Sequence, residues 1–282
     1  MTPVPYRRGS VRSADGTVLG YRELGGGPGL VVLHGGMLAA QSMMKLAEGL
    51  SGDFTVYVPD RRGRGASGPH GPDYGVAREV EDVQALLTET GAAQVFGLSS
   101  GALVTLRTAL ETPAPKRIAL YEPPLSVRGS MPMEWLARFD REIAAGRVPA
   151  ALATALKGMD VDPLFSRVPR FVLAPMMALA LRLQRTAEGD VPIAALVPTQ
   201  HFDLALVREL ADTQRDYAAV PAEVLLLGGG KSPAYLKGAL DELAAVLPHA
   251  HRVTFPRLDH SAPSDDGDPA RVAQELREFF RS

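Results

Sequence analysis

The sequence has no cysteine. That excludes disulfides, thiolate metal sites and a cysteine nucleophile, and it suits a chain that folds in a reducing compartment. There is no excess of either charge: 30 Lys and Arg stand against 32 Asp and Glu, a formal net charge of −2. Such a balance offers no electrostatic footprint for nucleic acid or for an anionic membrane surface. Long hydrophobic runs are also missing. The longest, Phe171–Leu181, is 11 residues and contains Pro175, whereas crossing a bilayer takes about 20. The opening stretch MTPVPYRRGSVRSADG is basic but has no apolar segment of signal-peptide length. These absences point to a cytoplasmic protein with no nucleic-acid or membrane partner.

What is present is ordinary globular composition, 46% hydrophobic and 22% charged over 282 residues. That length holds one large domain, or a domain with a substantial insertion. Short apolar runs alternate with longer helical patterns, which predicts an α/β fold with a mostly parallel sheet. The runs are Val18–Glu23, Leu30–Leu33, Phe54–Pro59, Gln94–Leu98, Arg117–Tyr121, Glu223–Leu227 and Arg252–Phe255. Several are apolar throughout, as expected of strands buried on both faces. Helical spacing of apolar residues marks Val76–Thr90, Ala102–Leu110, Tyr235–Leu247 and Pro269–Phe280.

The alternation stops between Pro123 and Val220. That stretch holds helix candidates near Met133–Ala145, Pro149–Gly158, Val168–Gln184 and Leu204–Ala218, and no convincing strand. The expected organisation is a core of residues 1–122 and 221–282 with an all-helical cap at 123–220. Methionines 131, 133, 159, 176 and 177 either line a flexible apolar pocket or pack the cap on the sheet; Met176 and Met177 are candidate substrate contacts. The acidic loop Asp265–Asp268 is expected to be solvated.

The most informative segment is VFGLSSGALVTL, which contains G-x-S-x-G as Gly97-Leu98-Ser99-Ser100-Gly101. It leaves a predicted strand and enters a predicted helix, the context a nucleophile elbow requires. Glycines on either side remove side chains that would collide where strand, turn and helix meet, and the turn aims helix N-terminal N–H groups at the reacting centre. The central residue, Ser99, is the candidate nucleophile. A second strand ends in His34-Gly35-Gly36-Met37. A glycine turn there can present a backbone N–H to a developing oxyanion, with Gly36 the first choice and Met37 the second. The partner donor is the N–H of Ser100. His34 is expected to brace this loop rather than carry a proton.

Together these segments resemble the α/β-hydrolase superfamily over almost the whole chain. DGTVLGYRELG looks like its opening hairpin, LHGG its oxyanion turn, PDRRGRGASG the turn after the next strand, GLSSG its elbow and RLDHSAP its histidine loop. The resemblance implies His260 as general base. The acid departs from the commonest pattern. The loop where many members carry Asp reads Gly228-Gly229-Gly230-Lys231-Ser232-Pro233, without a carboxylate. Glu122, directly after the strand Arg117–Tyr121, occupies a site where some members, including certain haloalkane dehalogenases, place theirs. The order Ser99, Glu122, His260 fits the family's chain order. Glu122 is the candidate acid, with a capping role as its alternative; Asp259 and Asp241 are poorer choices. His249 and His251 are expected at the surface and His70 in a loop, while His201 is a candidate to face substrate from the cap.

Other motifs mislead. Gly63–Gly68 matches G-x-G-x-x-G but lacks the helix and acidic strand end of a dinucleotide site. GGGKSP lacks the first glycine of a phosphate loop, because position 225 is Leu. No cofactor and no metal are expected. The expected activity is cleavage of a carboxylic ester, thioester or lactone of an apolar small molecule through an acyl-enzyme. Two other uses stay open: a lyase, isomerase or cyclase in which Ser99 and His260 only move protons, and a binding protein with a vestigial triad.

Overall fold

Eight strands form one sheet in the computed structural model, which describes residues 5–160, 165 and 167–282. In chain order they are β1 (Arg7–Arg12), β2 (Val18–Gly25), β3 (Gly29–Leu33), β4 (Thr55–Pro59), β5 (Gln94–Leu98), β6 (Arg117–Tyr121), β7 (Glu223–Gly229) and β8 (Ala250–Phe255). Their order across the sheet is β1-β2-β4-β3-β5-β6-β7-β8. Pairing is antiparallel for β1–β2 and β2–β4 and parallel from β4 to β8.

The central strands are apolar throughout because both of their faces are covered. In β3, Val31 and Leu33 join one apolar cluster while Leu30 and Val32 join the other; β6 divides likewise, Ile118 and Leu120 against Ala119 and Tyr121. The first cluster takes in α2 (Val76–Thr90), α3 (Ser100–Glu111) and a late helix, Ala234–Val246. The second is closed by α1 (Met44–Leu50) and by the final helix, Pro269–Arg281, whose Val272, Leu276 and Phe280 form an inward stripe. Parallel strands with helical crossovers place all their C-terminal ends at one rim, where ligands of such sheets bind.

Between β6 and β7 the described residues contain helices and no strand. They are α4 (Leu136–Ala144), α5 (Val148–Met159), α6 (Arg170–Leu183), α7 (Ile193–Leu196) and α8 (Gln200–Glu209). We number the two helices that follow α9 (Ala234–Val246) and α10 (Pro269–Arg281). Leu152, Leu204 and Val207 from the insertion lie in the same apolar cluster as the sheet, so it is packed on the rim rather than hung from it. No helix among the described residues is long and apolar enough to cross a membrane.

Three local expectations need correction. The strand β1 is missing from the sequence reading because RRGSVR is a polar edge strand, and charge on an edge is how sheets avoid unwanted pairing. The helix expected over Leu204–Ala218 breaks: α8 ends at Glu209, Asp212 adopts φ 61°, and a 3-10 turn covers Gln214–Ala219. The loop Asp265–Asp268 is not merely solvated. Asp265 accepts from the Lys45 N–H at 2.9 Å, and Asp268 caps α10 by accepting from the Arg271 N–H.

Candidate active site

Five chain segments meet at the rim. Ser99 follows β5 at φ 55° and ψ −123°, a strained backbone for a residue with a side chain. The strain is held in place from both sides. Its N–H donates to the Tyr121 carbonyl at 2.9 Å, and its own carbonyl accepts from the Ala102 N–H at 2.8 Å. The flanking glycines are sterically required. A Cβ at Gly97 would lie 2.5 Å from the Gly101 carbonyl oxygen, and one at Gly101 would lie 2.5 Å from that of His34. Gly35 presses on Ser99 itself, with a virtual Cβ 2.9 Å from the serine Cβ. Ser100 opens α3, so its N–H has no partner in the preceding turn.

Glu122 follows β6 and is fully buried. Its N–H extends the sheet ladder, donating to the Leu227 carbonyl at 3.1 Å, and its φ is 48°. Its Oε2 lies 2.7 Å from His260 Nδ1, and its Oε1 accepts from the Gly229 N–H at 2.6 Å. Gly228, Gly229 and Gly230 leave no room for side chains: a Cβ at Gly229 would lie 2.5 Å from the Leu258 carbonyl and one at Gly230 2.7 Å from that of Pro256. This loop meets the Glu122 carboxylate by backbone donation and carries no carboxylate of its own. A neutral imidazole that donates Nδ1–H to this carboxylate leaves Nε2 its lone pair.

Ser99, Ser100, Gly36, Met37 and His260 all line one cavity of about 370 Å³. Its walls are otherwise largely apolar: Leu38, Leu98, Pro124, Met131, Leu156, Met159, Phe165, Leu204, Val207 and Leu236. Among the described residues, Ser99 Oγ takes part in no hydrogen bond.

Of the expected substrate contacts, only Met37 lines the cavity. His201 is half-exposed, its Nδ1 2.9 Å from Asp140 Oδ1. The helical period of α8 turns Gln200, Asp203, Leu204 and Val207 to the cavity and 201 away from it. On α6, Met176 is 48% exposed and Met177 packs in the core. Asp241 pairs with Arg252 at the surface, His249 and His251 are exposed, and Asp259 lines the cavity while its carboxylate bonds Ser261. The glycine-rich 63–68 turn is shaped around Asp60, whose carboxylate accepts from the N–H groups of Ala40 and Ala66.

Beneath the His34–Met37 loop lies a buried charge network that the sequence alone does not reveal. Arg61 pairs with Glu79 at 2.9 Å and with Asp203 at 2.9 Å, and Arg64 pairs with the other oxygen of Asp203. Burial raises the cost of charging Asp203, but Arg64 and Arg61 outweigh it and hold its carboxyl at about 2. His34 is fully buried, with Nδ1 2.9 Å from the Gly35 carbonyl and Nε2 accepting the Arg61 N–H at 3.1 Å. Burial, then the charges of Arg64 and Arg61, push its pKa well down. Both ring nitrogens are occupied, so His34 braces this loop, as expected.

His70 stacks on Phe202 at 3.6 Å, and burial, then Arg64, lower its pKa to about 4. An unfolded imidazole takes up its proton near pH 6.5, whereas the folded one resists until about 4. The unfolded state therefore binds more protons in that window, and stability falls as pH drops through it. Urea melts at pH 7 and pH 5 are expected to show this loss. His70→Phe keeps the stack and has a flatter acid limb, with the remaining slope owed to His34; an unchanged slope rules out His70 as a source.

A family model described as the alpha/beta hydrolase family matches residues 30–275. The chain is 28% identical over 262 residues to the pimeloyl-[acyl-carrier protein] methyl ester esterase of Xanthomonas campestris pv. campestris (strain B100), covering 91% of this chain and 96% of that protein. It is 34% identical to the magnesium-chelatase 30 kDa subunit of Rhodobacter capsulatus over 123 residues, 41% of this chain and less than half, 43%, of that subunit. Among solved structures it is similar to an alpha/beta hydrolase from Sphaerobacter thermophilus DSM 20745, with TM-score 0.78, 32% identity and coverage of 96% of this chain and 100% of that one.

Proposed function

This chain belongs to the alpha/beta hydrolase family and is an α/β-fold hydrolase, and from that premise we propose that it is a serine hydrolase cleaving a carboxylic ester, thioester or lactone of an apolar small molecule. The observation that carries the reading is the buried Glu122 carboxylate, fixed by the Gly229 N–H and set 2.7 Å from His260 Nδ1, behind a cavity that also holds Ser99. Ester chemistry is further supported by the Xanthomonas relative, itself a methyl ester esterase.

In this reading Ser99 Oγ attacks the carbonyl carbon as His260 Nε2 takes its proton. Glu122 stabilises the imidazolium without becoming protonated. The carbonyl oxygen, now an oxyanion, is held by the N–H groups of Gly36 and Ser100. The tetrahedral intermediate collapses when the leaving alcohol or thiol takes the proton from His260. Water then attacks the acyl-enzyme by the same route in reverse, releasing the acid and restoring Ser99. A cavity of about 370 Å³ with apolar walls fits a medium-sized acyl or alcohol portion.

A fluorophosphonate probe tests the reading. It is expected to label Ser99 at neutral pH, with peptide mapping locating the adduct, and to leave Ser99→Ala unlabelled. A folded wild type that stays unlabelled and releases no nitrophenol from p-nitrophenyl esters of rising chain length rejects it.

A further inference from the structure

The first turn of α8 touches both residues read above as oxyanion donors, although it belongs to the insertion and not to the sheet. Gln200 and Asp203 are three apart, so they share one helix face, and both line the cavity. At Gly36, a Cβ would lie 2.6 Å from Gln200 Oε1 and 3.2 Å from Asp203 Oδ2. Only glycine fits beneath these two side chains without displacing them. At Ser100, the hydroxyl donates to Asp203 Oδ1 at 2.8 Å and accepts from Arg61 Nη1 at 3.0 Å. Asp203 is 2% exposed and Gln200 4%, and among the described residues the amide oxygen of Gln200 has no hydrogen-bond partner.

We propose that Asp203 is a positioning residue for the hydrolytic step: through the Ser100 hydroxyl it fixes the Ser100 N–H, and with Gln200 it fixes the backbone of Gly36. This rests on the reading of those two N–H groups as the oxyanion donors. The two arginines have a definite part. A lone carboxylate beside a developing oxyanion would repel it, whereas Asp203 is bonded to Arg61 through one oxygen and to Arg64 through the other. Its geometry is used while its charge is cancelled. Donors aimed before the reaction begins need no reorganisation during it, so the insertion contributes to the barrier as well as to the pocket wall.

The test is a double-mutant cycle of Asp203→Asn and Ser100→Ala, read as kcat per active site counted by the nitrophenol burst. Counting sites removes any loss due to unfolded protein, which is what a merely structural role would produce. Asp203→Asn is expected to lower this kcat about tenfold or more with KM little changed. Affinity for an alkyl trifluoromethyl ketone, which mimics the tetrahedral oxyanion, falls in parallel. In the Ser100→Ala background the same substitution does far less, because its route through Ser100 is already cut. Gly36→Ala tests the second contact. It displaces the Gln200 amide and lowers kcat, and Gln200→Ala in the same chain restores part of the loss. Unchanged normalised kcat and ketone affinity in Asp203→Asn, or strict additivity with Ser100→Ala, overturn the proposal while leaving the hydrolase reading intact. A wild type with neither turnover nor probe labelling overturns both.

Discussion

Ser99→Ala is expected to lower kcat/KM for p-nitrophenyl esters by about 10⁵-fold or more, the scale on which removal of a triad nucleophile acts. The fold should be untouched. Ser99 Oγ makes no hydrogen bond among the described residues, so its removal breaks none. The backbone there is held by the Tyr121 carbonyl and by glycines 97 and 101, not by the serine side chain. Alanine meets the same unfavourable φ of 55° and neither relieves nor worsens it. His260→Ala should fall to a similar floor, because a hydroxyl without its base is as inert as no hydroxyl. The double variant should be no worse than either single one, since residues acting as a unit are not additive. Steady-state rates beside thermal melts decide this. A Ser99→Ala protein that keeps a sizeable share of activity places the nucleophile elsewhere, and a double variant far below both singles shows that the two do not act on one step.

The sheet was readable because its physics is local. Strands buried on both faces must be apolar throughout, so VVL and VLLL announced β3 and β7. The elbow was readable because a strained turn between strand and helix tolerates only glycine at its flanks, and the collisions at Gly97 and Gly101 are what such spacing encodes. Glu122 and His260 were chosen from the family resemblance and their places after a strand, and the structure sets the two side chains 2.7 Å apart. Legibility ends where a contact depends on which face of a helix turns inward. His201 and Met176 were chosen by residue type, yet α8 presents other residues to the cavity and no residue of α6 lines it. The charge network escaped for a related reason. Arg61, Arg64, Glu79 and Asp203 come from three separated segments, and four charged residues read one by one look like solvated surface. The density of arginine in PDRRGRG was the one available signal. It pointed to a turn, and burial turned that same cluster into a scaffold beneath the His34–Met37 loop.

Glu122→Gln should cost about 10³–10⁴ in kcat, and the reason lies in a hydrogen-bond conflict, not in lost charge alone. Glutamine matches glutamate in shape, so the buried site stays filled. The Gly229 N–H needs an acceptor, and it claims the amide oxygen in place of Oε1. The amide nitrogen is then left facing His260 Nδ1, donor against donor. The imidazole resolves the clash by moving its proton to Nε2, the nitrogen that must be free to take the proton of Ser99. The enzyme is folded, the cavity unchanged, and the base in the wrong tautomer. Melting curves near wild type with a collapsed kcat are the expected signature, and KM should move little because the substrate never touches this residue. Returning the acid to the loop where many relatives carry it offers no rescue. In Gly229→Asp the new Cβ would sit 2.5 Å from the Leu258 carbonyl and 2.8 Å from Asp259 Cα, backbone atoms that cannot step aside. A Glu122→Gln, Gly229→Asp double variant that recovers activity would place the acid's proper seat in the triple-glycine loop, and would make Glu122 a cap-anchoring residue after all.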